Sequence, residues 1–366
     1  MERRTARAVG RRSPTLRDVA RLADVDVSTV SRVVNDHPAL RIAEATRERV
    51  EAAVRQLGYQ PNVQARGLRL AKTWTIGFVL PDLTNPFYAP IVEGAEQRAS
   101  ESGYMVVIVR ELDRAAQDGD ELSFERLVHQ HRVDGLLVAS GRVDDAVLRG
   151  LAAEDPPLVI VNRRVPGVAG YVVVDDRAGA YVATGHLLAL GHRRLGHVAG
   201  PRGIDNTRRR AAGFREAARE HGAETHVVHG PAWDPESGFA AARELLEGAA
   251  PTAVLATNIV VAAGVVGAAQ ERGLRVPEDL SVIALHDFPP ARFLRPSIST
   301  VVLPLEELGR VAMDVLLERL AGVPPREVMV EAEPRLVLRG STAPPRATAA
   351  GLSARSRARE RAGGSR

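Results

Sequence analysis

The sequence predicts two unlike parts: a small all-α head, and a larger α/β body of two lobes, each a doubly wound parallel sheet. Three observations carry this expectation. Up to Lys72 the apolar residues recur with helical spacing alone. From Trp74 onward apolar, strand-like runs alternate with helical stretches, the sign of a parallel sheet with crossover helices. Charge divides along the same line. Met1 to Lys72 carries 15 Lys and Arg against 8 Asp and Glu, Thr73 to Ala343 carries 28 against 36, and Pro344 to Arg366 carries 6 against 1. A basic head on an acidic body directs a polyanionic partner to the head.

Composition narrows the class. A chain of 366 residues with 45% hydrophobic and 26% charged residues fits two or three globular domains and excludes collagen, coiled-coil and wholly disordered classes. No apolar stretch reaches the roughly 18 residues that span a bilayer. The Arg-rich N-terminus lacks the apolar segment of a secretory signal, so a cytoplasmic, nucleoid-associated protein is expected. With no Cys there is no disulfide, thiolate nucleophile, iron-sulfur cluster or Cys-type zinc site.

In the head, TLRDVARLAD puts Leu16, Val19, Ala20 and Ala23 on one helical face, with Thr15 as cap and Asp18 completing a variant capping box. Asp26 is a good cap for a second helix, Val27 to Val34, with Val27, Val30 and Val34 on one side and Ser28, Thr29, Ser31, Arg32 and Asn35 on the other. Two short helices joined by about three residues fit a helix-turn-helix whose second helix enters the major groove. Arg reads guanine there, and Ser or Thr bonds bases or phosphates. A third helix, about Glu44 to Leu57, turns Val50, Val54 and Leu57 inward and ends at Gly58. The segment Pro61 to Leu70 has two readings. It is a short helix that folds when docked on a partner copy and DNA, with Leu68 wedging a base step, or a plain linker whose Leu packs on the next domain.

The runs TLRDVARLADVDVSTVSRVVN from Thr15, TRERV from Thr46, GYQPN from Gly58 and ARGL from Ala65 together resemble the DNA-binding headpiece of the LacI/GalR family of bacterial transcriptional regulators. The resemblance implies that Val27, Ser28 and Arg32 read bases, that Thr29 and Ser31 lie near phosphates, and that Leu68 is the minor-groove wedge. Thr15, Asn35, Asn62, Ala65 and Arg69 complete the implied DNA-contacting set. Asp24 and Asp26 stand where that family usually has Gly and Ser, and Ala43 replaces a usual Ser cap.

Candidate strands in the body are Trp74 to Leu80, Met105 to Val109, Gly135 to Ala139, Leu158 to Val161, Tyr171 to Val174, Leu195 to Ala199, His226 to His229, Ala253 to Ala256, Ser281 to Leu285 and Ser299 to Val302. The break between lobes is expected near Asn162 to Gly170, where Pro166, Gly167 and Gly170 cluster. Ligands of doubly wound sheets sit beyond the carboxyl ends of the strands. Those ends carry Asp82 and Phe87, Asn162 and Arg163, Asp175, then Asp205, Asn206 and Arg210, Trp233 with Asp234, Asn258, and His286 with Asp287. Carboxylates, amides, Arg forks and an aromatic plate suit a polyhydroxylated ligand.

The body in turn resembles that family's effector domain, which is related to periplasmic sugar-binding proteins, through PDLTNPFYAPIVEG from Pro81, LGHRRLGHVAGP from Leu190, RRAAGF from Arg209, WDPESGF from Trp233 and LRVPEDLSVIALHD from Leu274. The resemblance implies an effector cleft lined by Phe87, Arg163, Arg210, Trp233, Asn258 and His286, to which the strand-end reading adds Asp82 and Asn206. His286 departs from the family's usual Asp, which changes the functional group bound or makes binding pH-sensitive. The resemblance also implies a homodimer on pseudo-palindromic operator DNA and a small-molecule effector, most often a sugar. Sugar-type relatives release DNA on binding effector, and purine-type relatives bind it more tightly.

An enzyme is disfavoured. No GxGxxG follows the first strand, and neither GxSxG nor HExxH occurs. The His129/His131, His192/His197 and His226/His229 pairs lack companions at metal spacing, so no metal or cofactor is expected. A periplasmic receptor would fit the body but leave the head unexplained. The reading divides the chain into a disordered basic tail over 1–13, the helix-turn-helix domain over 14–60, a hinge over 61–72, a periplasmic-binding-protein-like effector and dimerisation domain over 73–342, and a disordered basic tail over 343–366.

Overall fold

The computed structural model describes residues 14–34, 42–59, 72–110, 124–139, 141 and 143–346. It separates into two compact units, Met1–Thr73 and Trp74–Arg366.

The head unit is α1 (Leu16–Ala23), α2 (Val27–Val34) and α3 (Glu44–Leu57). Asp18 closes the first turn of α1 by accepting the Thr15 amide at 2.9 Å and its hydroxyl at 2.7 Å. Asp24 ends α1 in the left-handed region, φ 53°, where glycine is favoured. Asp26 accepts from the Ser28 amide at 2.7 Å and so starts α2. The core holds Val19, Ala20, Ala23, Val30, Val33, Val50, Ala53 and Tyr59. Val27 was expected on the inward side of α2, but it is exposed and Val33 is buried in its place. The inward face of an eight-residue helix follows the packing of its second turn, and its first residue projects past the core. Gly58, φ 60°, closes α3.

The body's first sheet contains β1 (Thr75–Leu80), β2 (Met105–Arg110), β3 (Gly135–Val138), β4 (Leu158–Val161), β5 (Tyr171–Val174) and β11 (Glu327–Val330). The second contains β6 (Arg194–Ala199), β7 (Glu224–His229), β8 (Ala253–Ala256), β9 (Ser281–Leu285), β10 (Ser299–Val302) and β12 (Arg335–Val337). Their orders are β2-β1-β3-β4-β5-β11 and β7-β6-β8-β9-β10-β12, parallel except for β12. Both lobes thus have the same doubly wound order, whose switch points fall between β1 and β3 and between β6 and β8. β11 and β12 escape a sequence reading because short edge strands lack an uninterrupted apolar run.

The expected break at Asn162 to Gly170 is wrong. β5 still pairs with β4 in the first sheet, and Val165 and Val168 of the intervening loop are buried in the first lobe. The Gly and Pro residues there make a tight turn, not a linker. The chain instead crosses between lobes after β5, after β10 and after β11. The first two crossings exchange helices. α7 (Asp176–Ala189) follows β5 but packs in the second lobe against α8 (Asp205–Glu220), while α11 (Leu305–Leu320) follows β10 but packs in the first lobe against α4 (Tyr88–Glu101). Both pairs touch backbone to backbone: a Cβ at Gly213 would collide with the Arg177 carbonyl oxygen, and one at Gly309 with that of Ile91. The remaining helices are α5 (Phe124–His129), α6 (Asp145–Ala153), α9 (Pro235–Gly248) and α10 (Ile259–Glu271).

Residues 343–346, expected in a disordered tail, are held to the body. Ala343 donates to the Ser281 hydroxyl at 3.0 Å and accepts from His192 at 2.9 Å, and Arg346 pairs with Asp279. Backbone groups after a final strand stay with the body while buried partners are in reach.

Candidate functional site

On the head, α2 carries the expected surface. Ser28 and Arg32 are exposed beside Val27, and Thr29 and Ser31 are half-buried at its flanks. Thr15 is exposed at the start of α1. Hydrogen bonds from the Ser28 hydroxyl, then from its amide, hold the Asp26 carboxyl below the usual range, so the cap stays anionic beside the exposed face of α2. Asn35, Asn62, Ala65, Leu68 and Arg69 lie outside the described residues.

In the body, the carboxyl ends of both sheets line a pocket whose empty space, open solvent included, is about 410 Å³. The first lobe contributes Asn85, Phe87 and Tyr88 after β1, Ala139 and Gly141 after β3, and Val161, Asn162 and Arg163 at β4. The second contributes Ile204, Asn206 and Arg210 after β6, Trp233 after β7, Asn258 after β8 and His286 after β9. Seven of the eight predicted effector residues therefore meet here. The exception is Asp82, whose carboxylate accepts the Thr84 amide at 2.8 Å and its hydroxyl at 2.9 Å, away from the cavity. A carboxylate two residues before a Thr finds that local donor before any distant one. Asn85, Tyr88, Ala139, Gly141, Val161 and Ile204 also line the pocket without being expected from the sequence, and Asn162 is expected only as a strand-end residue. Its φ of 57° turns the chain sharply out of β4.

The other strand-end carboxylates are also spent elsewhere. Asp175 caps α7 at the Ala178 amide, and Asp234 caps α9 at the Ser237 amide. Asp287 pairs with Arg339 at 2.7 Å. Asp205 pairs with Arg209 at 2.9 Å. Asp176, fully buried at the start of α7, holds both Arg209 and Arg210 at 2.8 Å. Burial works against the Arg209 cation, but Asp176 and Asp205 more than offset this and raise its pKa.

Arg210 organises the floor. Its Nε donates to Asp176, its Nη1 to the Thr257 carbonyl and hydroxyl at 3.1 Å, and its Nη2 to His286 Nε2 at 2.8 Å. Burial, then the Arg210 cation, hold the His286 imidazole well below its ordinary pKa, so it is neutral. Arg163 donates to the Val143 carbonyl at 2.8 Å and to Asp145. Asn258 caps α10 through Oδ1, which accepts from Val261. Three buried groups on the lining have atoms without a hydrogen-bond partner among the described residues: both side-chain atoms of Asn162, Asn206 Oδ1 and His286 Nδ1. Buried polar atoms left without protein partners are open to a bond from water or a ligand.

The lobes also meet directly. Trp233 packs onto Gly141 and Gly200, where a Cβ would stand 2.5 Å from the indole at the first and collide with it at the second. Asn85 donates to the Trp233 carbonyl at 3.4 Å, Asp205 accepts the Arg164 amide at 3.2 Å, and the Phe87 ring lies edge-on to His286 at 4.7 Å. The two lobes thus touch across the cleft.

Comparison with known proteins agrees with both units. The model of bacterial regulatory proteins, lacI family, matches residues 15–62, and that of the periplasmic binding protein-like domain matches residues 184–342. Over 335 residues the chain is 34% identical to the HTH-type transcriptional regulator GalR of Escherichia coli (strain K12), covering 90% of this chain and 96% of that protein. The chain belongs to the lacI family of bacterial regulatory proteins. Another relative of this family is the HTH-type transcriptional repressor PurR of Photobacterium profundum, 33% identical over 89% of this chain and 98% of the relative. Among solved structures, the lac repressor dimer bound to operator and the anti-inducer ONPF superposes with a TM-score of 0.75 at 29% identity, covering 91% of this chain and all of that one. The transcriptional regulator CelR–cellobiose complex gives 0.66 at 33% identity, covering 90% and 99%. As a lacI-family member the protein is a DNA-binding transcriptional regulator with an effector-binding body. Among the described residues no helix is long and apolar enough to cross a membrane, and no three His, Asp or Glu side chains group as a metal site.

Proposed function

We propose that the protein is a homodimeric repressor of pseudo-palindromic operators whose DNA affinity is set by a small polyhydroxylated effector in the interlobe cleft. The observation that carries this reading is the convergence of Phe87, Arg163, Asn206, Arg210, Trp233, Asn258 and His286, drawn from separate strand ends, on one pocket. Trp233 offers an apolar ring face, and the amides and guanidiniums bond hydroxyls. Relatives solved with cellobiose and with ribose support a carbohydrate. In the head, Val27, Ser28 and Arg32 read bases from the major groove, while Thr15, Thr29 and Ser31 approach phosphates. Asn35, Asn62, Ala65, Leu68 and Arg69 extend that interface, with Leu68 as the wedge.

Regulation follows from linkage. The effector changes operator affinity only to the extent that it binds the open and closed body with different affinity. Fluorescence anisotropy of the protein on DNA from its own upstream region against scrambled DNA, at two salt concentrations and with a carbohydrate panel, tests the reading. Sequence-specific binding that survives about 150 to 200 mM salt and shifts with one ligand is expected. Binding indifferent to sequence at every salt concentration, with no ligand response, overturns it.

A further inference from the structure

We propose that the effector is a sugar acid, a polyhydroxylated molecule carrying a carboxylate, and that His286 selects it by donating its Nδ1–H to that carboxylate. The inference rests on the cleft being the effector site. It begins from what lines the cavity: two guanidiniums, Arg163 and Arg210, and among the described residues no Asp or Glu. A neutral sugar is a donor at every hydroxyl and is held best where charged acceptors take those protons. Here the charged groups on the lining can only donate.

The His286 tautomer sharpens the point. A guanidinium has no acceptor, so the 2.8 Å bond between Arg210 Nη2 and His286 Nε2 fixes Nε2 as the acceptor. The ring proton of the neutral imidazole is therefore on Nδ1. That atom is buried and has no partner among the described residues. A buried N–H without a partner costs about 1–3 kcal/mol, and a ligand oxygen with lone pairs and no proton removes that cost. A carboxylate fits, since it is acceptor-only and takes charge-assisted bonds from a guanidinium. Behind the lining, Asp176 and Asp205 balance Arg209 and Arg210, so a bound anion meets no excess negative charge. The remaining hydroxyls have the amides of Asn162 and Asn206 as two-way partners.

The test is isothermal titration calorimetry of the full-length protein with matched probes: D-glucose, D-galactose and D-ribose against D-gluconate, D-glucuronate, D-galactonate, D-galacturonate and D-ribonate. At least one acid is expected to bind about tenfold or more tighter than its neutral parent. In His286→Asp, which puts a charged acceptor where the donor stood, that preference reverses, while His286→Asn, which keeps a neutral donor, retains it. A panel in which no acid binds, or in which the neutral parent binds tighter than its acid, overturns the proposal. A neutral sugar whose binding Trp233→Ala abolishes sinks the acid but keeps the cleft as the effector site. Binding that neither Trp233→Ala nor His286→Asp alters sinks both.

Discussion

The two lobes share a strand order and a backbone-tight helix pair, yet they bury different chemistry. Among its described residues the first lobe buries only Asn162 and Arg163 as polar side chains, both at the cleft. The second buries Asp176, Asp205, Arg210, His192, His197, His286 and a run of hydroxyls. One topology thus carries a pair of buried polar side chains at the cleft in one lobe and a buried polar network in the other. Topology sets where a cleft opens, and the residues at the strand ends set what it receives.

If the second lobe's polar floor is what distinguishes it, breaking that floor costs most. Arg210→Ala leaves Asp176 buried with one cation instead of two, and is expected to lower unfolding free energy by about 3–5 kcal/mol, read by urea denaturation. In the first lobe the Arg163 partner, Asp145, is 37% exposed, so Arg163→Ala should cost clearly less. Equal losses would erase the contrast.

Acid is the second probe. Burial, opposed by the bond to the Leu255 carbonyl, depresses His197 to about 4 from an ordinary 6.5. The unfolded chain therefore takes up a proton that the folded chain refuses. Stability is unaffected by this group above about pH 6.5, falls as pH drops toward 4, and levels below that. The loss by pH 5 is about 2 kcal/mol. His286, also depressed, adds to it in the same direction. Denaturation at pH 7.5 and pH 5 measures the slope, and His197→Gln should flatten it; a slope unchanged in that variant would place the acid sensitivity elsewhere.

A smaller effect tests the contact between lobes. Gly141→Ala puts a Cβ 2.5 Å from the Trp233 ring, and the indole must shift. Effector affinity should fall about tenfold, worth roughly 1.4 kcal/mol, with little loss of fold stability. The smallest change lies in the head, where Asp24 occupies a left-handed position. Asp24→Gly relieves that conformation and should raise the head's melting stability by about 0.5–1 kcal/mol, while no gain would mean that the aspartate is accommodated without strain.

Local pattern alone determined much of this protein. The α1 face, Asp26 as a cap, Gly58 as a stop, ten strands and most of the cleft residues were legible, because caps, helical periods and strand ends are written within a few residues of chain. What only the tertiary structure decided was the choice of partners across the fold. Asp82 looked like a ligand group until Thr84 claimed it, and the turn from Asn162 to Gly170 looked like a linker until Val165 and Val168 sank into the core. The exchange of α7 and α11 between lobes, and the proton on His286 Nδ1, depend on atoms far apart in sequence. A residue type states what bonds it can make, and the folded geometry determines which of them form.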